Sequence, residues 1–187
     1  MRNAQNDTFS IYDENARLGL RCRLTALLGG ARKAPVLVCI GSDRVTGDCL
    51  GPLTGHLLTD KYNIGAYVYG TLEFPVTALN LAESRDFILS AHPGRKIVAV
   101  DAALGSIGDV GAIRIRRGGI KPGAAVDKDL PEIGDVGITA VVGGTEFPAR
   151  EQLVAARLNF IWKLAETIAA ATADAVGGKF SQSTVNG

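Results

Sequence analysis

Residues 36–52 read VLVCIGSDRVTGDCLGP, and this stretch decides the fold class. VLVCI is an unbroken apolar run of β-forming type, the pattern of a strand buried on both faces, as parallel sheets require. From residue 49 to 61, Leu50, Leu53, Leu57 and Leu58 recur at helical spacing, and Pro52 is tolerable in a first helical turn. Strand, glycine-containing turn and helix in that order are the unit of an α/β protein. Right-handed crossovers then leave few topologies.

The same alternation extends outward. ARLGLRCRLTALLGG at 16–30 suits a short helix ended by glycines, and AYVYGTL at 66–72 a second strand. VTALNLAESRDFILSA at 76–91 is expected to be a helix burying Val76, Leu79, Ala82, Phe87 and Leu89. KIVAVDA at 96–102 is the most strand-like segment. VGAIRIR at 110–116 alternates apolar and basic residues, as a half-exposed edge strand would. A Gly/Pro-rich loop at 118–135 leads into VGITAVV at 136–142, and Pro148 opens one long amphipathic helix through Val154, Leu158, Ile161, Leu164, Ala165 and Ile168. The expected organisation is a polar arm over 1–16, a single α/β domain over 17–176 and a polar, disordered tail over 177–187. Its sheet is mostly parallel, with helices on both faces.

Composition narrows the function classes. The chain has 187 residues, a formal net charge of +1 and 47% apolar residues. That balance suggests neither a nucleic-acid nor a membrane-surface partner. No apolar run reaches the roughly 20 residues of a bilayer span, and the polar N-terminus lacks a signal-peptide core. A cytoplasmic protein is expected. Three cysteines and two histidines, His56 and His92, form no metal-ligand spacing. Cys39 reads as a core residue, and Cys49 has no neighbouring histidine to activate it.

In open α/β sheets ligands bind beyond the carboxyl ends of the strands. That rule gathers four acids: Asp43 and Asp48 after the first core strand, Glu73 after the second, and Asp101 at the end of the third. Asp101, directly after IVAV, needs a partner, a metal or a neighbour's proton if it is to sit at the mouth of a buried strand. Asp48 also suits the N-cap of the next helix, Asp43 a turn-closing residue and Glu73 a solvated loop acid. Two facing carboxylates can share a proton and position water for attack on a carbonyl, or hold a divalent cation. A phosphate cradle does not fit: the glycines fall at 41, 47 and 51, off the GxGxxG spacing, and Asp48 stands where GxxxxGK[ST] needs its lysine. A GxSxG elbow is absent.

GSDRVTGDCLGP, YGTLEFPVTALNL, VAVDAALG and IKPGAAVDKDLPEIGDVGITAVV, in that order from Val36 to Val142, resemble the YyaC family of sporulation proteins. That family is similar to the germination protease of spore-forming bacteria and, more distantly, to the hydrogenase maturation endopeptidases. The resemblance implies a three-layer α/β/α, phosphorylase/hydrolase-like fold. It also implies a pair of catalytic aspartates, Asp48 before Gly51-Pro52 and Asp101, acting as acid and base around a water. Lys121, Pro122 and Gly123 would then belong to the wall of a substrate cleft, with Asp43 and Glu73 near the substrate. The chain departs from the maturation enzymes in having no histidine after Asp101, which they use to grip nickel. It also lacks room for the germination protease's extra segments and propeptide.

The resulting expectation is a sporulation-associated peptidase without a cofactor, acting on a protein or peptide such as a spore protein. A peptide-binding protein without chemistry, and a metal-dependent hydrolase using Asp48, Asp101 and Glu73 as oxygen ligands, are the alternatives. The long C-terminal helix and the edge strand are compatible with a homodimer.

Overall fold

The structure, a computed structural model, describes residues 7–29, 31, 33–122 and 131–180. A mixed six-stranded sheet carries helices on both faces. Its strands are β1 (Asp7–Ser10), β2 (Val36–Cys39), β3 (Tyr67–Tyr69), β4 (Ile97–Gly105), β5 (Ala112–Arg117) and β6 (Val136–Gly144). Their spatial order is β1-β5-β6-β4-β2-β3. β3, β2, β4 and β6 run parallel, whereas β5 is antiparallel to both its neighbours. Alternation along β2 and β4 divides the core. Leu37, Cys39, Val98 and Val100 face one side, where α1 (Ala16–Leu27), α2 (Leu50–His56) and α5 (Leu158–Phe180) cover them. Val36, Val38, Ile40, Ile97 and Ala99 face the other, under α3 (Leu81–Ala91) and the residues around Ile120 and Ile133.

Each helix forms because its apolar spacing has somewhere to go. α1 buries Ala16, Leu20, Leu24 and Leu27, a stripe of helical period against α5, and a fully buried leucine contributes about 1.5–3 kcal/mol. After α2 the helix widens into a π turn over Leu57–Lys61. α5 presents Ile161, Leu164, Ala165, Ile168 and Ala169, all fully buried, and no helix among the described residues is long and apolar enough to cross a membrane.

Several expectations need correction. The segment read as a polar arm supplies β1, which pairs with β5 from Asp7↔Ile115 to Ser10↔Ala112, so β5 is not the edge strand. Two of the three β5 arginines are tied down by neighbours: Arg114 Nη2 donates to Asp109 at 2.7 Å and Arg116 Nη2 to the Gly119 carbonyl at 2.5 Å. α3 begins at Leu81 and buries Leu81 and Ile88, leaving Leu79, Phe87 and Leu89 exposed. The cause is Asn80, whose Oδ1 accepts from Thr77 N at 2.7 Å while its Nδ2 donates to Pro75 O at 3.1 Å, holding the chain in a turn up to the helix start. The C-terminal helix is two helices, α4 (Ala149–Ala155) and α5, because Ala156 is extended at φ −58°, ψ 133°. Val154 is therefore exposed instead of buried, and α5 continues to Phe180, beyond the point where the tail was expected. Residues 181–187 lie outside the described residues.

Candidate active site

β2 and β4 stop being neighbours at one place. Cys39↔Val100 is their last paired register, and Ile40 N donates to Val100 O at 2.7 Å. Beyond it Gly41 turns the chain away at φ +144°, a region few side chains tolerate. A Cβ there would lie 2.0 Å from the Asp48 carbonyl oxygen, and one at Gly51 2.0 Å from the Ile40 carbonyl oxygen. The glycines thus let the helix start collapse onto the end of β2. Asp48 is held in the single turn Gly47–Cys49 that precedes α2.

Asp101 is the next β4 residue after the last β2 pair. Only β6 flanks it there, with Thr139 in register. By alternation it shares the side of the sheet taken by Ile97 and Ala99. It is one of three buried polar side chains among the described residues, and its Oδ1 accepts the Ala102 N–H at 2.8 Å. Burial, and next the charge on nearby Asp48, hold its carboxyl well above the usual range, with the Ala102 N–H opposing. Asp48 is itself raised by burial, partly offset by the Ser42 backbone N–H. Both carboxyl groups resist ionisation, Asp101 chiefly through burial and next through the charge on Asp48, which favours retention of a proton at Asp101.

The remaining expected residues distribute around this pair. The N-cap of α2 is Cys49, without a side-chain cap bond, so Asp48 does not serve as that cap. Asp43 is exposed, and the hydroxyl closing the turn is that of Ser42, which accepts the Arg44 N–H at 3.3 Å. Burial, with the charges of Asp43 and Asp48, pushes the Cys49 thiol up, the opposite of what a nucleophile needs. Glu73 is exposed on the loop after β3 and lines two clefts, of about 640 and 540 Å³, described below. Among the described residues no three His, Cys, Asp or Glu side chains converge as metal ligands, so Glu73 does not join Asp48 and Asp101 as the ligand set considered from sequence. Lys121 is exposed and Pro122 buried, next to Ile120, which bridges to Ile133 on the Ala99 side of the sheet. Gly123 lies outside the described residues.

Thr139 was missed by sequence reasoning. Its only signal is a hydroxyl inside the apolar run VGITAVV, and its place opposite Asp101 depends on strand register. Leu153 of α4 was missed as a neighbour of the acidic turn: a Cβ at Gly47 would lie 2.9 Å from its Cα.

The model of a family described as "Protein of unknown function (DUF1256)" matches residues 8–171. The chain belongs to the DUF1256 family. It is also 42% identical over 145 residues to the "Uncharacterized protein YyaC" of Bacillus subtilis (strain 168), covering 78% of this chain and 71% of that protein. The DUF1256 match runs from within β1 into α5, so it includes both aspartates and the whole of strands β2 to β6.

Proposed function

We propose that the protein is a peptidase acting in the cytoplasm of a sporulating cell, in which Asp48 and Asp101 activate water. The observation that carries this reading is the desolvated Asp101, whose proton is favoured by the charge of Asp48. Asp48, the less buried of the two, takes a proton from water as the oxygen attacks the peptide carbonyl carbon. Asp101 donates its proton to the carbonyl oxygen, and Asp48 passes the water's proton to the amine as the C–N bond breaks. The hydroxyl proton of the tetrahedral intermediate returns to Asp101. The resemblance to sporulation proteins and to the germination protease supports the setting and the three-layer hydrolase-like reading of the fold. So does the position of Asp48 beyond β2 and of Asp101 one residue past the last β2–β4 pair, where the two parallel strands part.

Incubating purified protein with spore-protein extracts and mapping new termini by mass spectrometry tests the proposal. Cleavage by the wild type, abolished by Asp48→Asn and by Asp101→Asn, is expected. Full activity in both variants would refute the mechanism. The clefts around Glu73 favour a second reading, a peptide-binding protein without hydrolysis, for which binding with no new termini would be the result.

A further inference from the structure

The carboxyl-end rim holds more than the two acids. The loop at 70–77 leaves β3, bridges back to β2 through Ile40↔Val76, and receives the Gly41 N–H on the Val76 carbonyl at 2.9 Å. It therefore adjoins the turn that carries Asp48. On one side lies the cleft of about 640 Å³, between the outer end of β3 and the start of α3, lined by Val68, Tyr69, Thr71, Val76 and Asn80 among others. On the other side lies the cleft of about 540 Å³, walled by Leu72 with His56 at the end of α2 and Asp60 in the π turn that follows it. Thr71, Glu73 and Phe74 line both clefts. Phe74 is 74% exposed, a large ring standing between two concavities.

We propose that these clefts are adjoining subsites for an extended peptide laid along the outer edge of β3, with a lysine or arginine side chain in the smaller one. This rests on the peptidase reading above. Two features specify the occupant. β3 is the sheet's edge, and the larger cleft runs along Val68, Tyr69, Gly70 and Thr71, so its backbone offers the donors and acceptors that an added strand pairs with. In the smaller cleft a long cationic side chain would lay its stem on Leu72 and the Phe74 ring and bring its head to Glu73 and Asp60. His56, 3.8 Å from Asp60, is the one other titratable group lining that cleft.

The test uses the Asp101→Asn protein, which binds without cutting, and fluorescein-labelled hexapeptides that carry Lys, norleucine or Glu at one position. Anisotropy should rank Lys tightest and Glu weakest. Glu73→Gln should weaken the Lys peptide about threefold, and Asp60→Asn with Glu73→Gln about tenfold, as expected for partly exposed ion pairs, while the norleucine peptide is unchanged. N-methylation of one backbone amide should cost about tenfold at a position facing β3. Equal affinity for Lys, norleucine and Glu peptides, indifference to N-methylation throughout, or no binding at millimolar concentration would overturn the proposal. Ranked binding by a wild type that produces no new termini would support the subsites and sink the hydrolysis. Cleavage without preference for a basic residue would do the reverse.

Discussion

Replacing Asp101 by Asn should stabilise the fold at neutral pH and remove its function. Asp101 is buried, and its one hydrogen bond among the described residues is the 2.8 Å contact from Ala102 N, which an Asn oxygen can also accept. Its folded pKa lies well above the ordinary value of 3.8, so between those two values the folded state binds more protons than the unfolded chain. Stability then falls as pH rises through that window and is fully retained only below the unfolded value. An incompletely satisfied buried polar group costs about 1–3 kcal/mol. A melting entropy of about 2.1 cal/mol/K per residue gives a chain of this length about 0.4 kcal/mol per degree. Asp101→Asn should therefore raise Tm by about 3–8 °C at pH 8 and by little at pH 4, followed by circular dichroism at both pH values. A lower Tm at pH 8, or a difference independent of pH, would refute the reasoning.

Gly51→Ala should cost more than about 3 kcal/mol in urea unfolding, because its Cβ would meet the Ile40 carbonyl at 2.0 Å. Gly65→Ala, with nothing within 4 Å, should stay within about 0.5 kcal/mol, and equal effects would contradict the packing described. Of the three cysteines, exposed Cys22 should react with a thiol reagent at pH 8 in a single fast phase. Buried Cys39, pushed up to about 12 by burial, and Cys49 should lag; a fast Cys49 would contradict the electrostatics of the acidic turn.

How much of this was legible in the sequence follows from where each signal resides. The buried strands β2, β4 and β6 announce themselves as local apolar runs, and Asp48 is readable because it follows the end of one. Asp101 stands out as an acid inside another, although β4 continues past it to Gly105 instead of ending there. What failed depends on contacts remote in sequence. DTFS carries one large apolar residue, Phe9, so nothing local marks β1; its partner β5 lies about a hundred residues away. The face of α3 was misjudged because one asparagine delays the helix to Leu81. The break at Ala156 has neither Pro nor Gly to signal it. Glu73 shares the carboxyl-end rim with the two aspartates, yet the loop at 70–77 places it in clefts of its own.

The central claim is that Asp48 and Asp101 act as one proton-sharing pair, and a carboxyl carbon-13 NMR titration of the aspartates reads it directly. Asp101 should keep its proton well above the ordinary aspartate range, and its midpoint should move down in the Asp48→Asn protein, where the neighbouring charge is gone. A midpoint near 3.8, or one unmoved by Asp48→Asn, would contradict it.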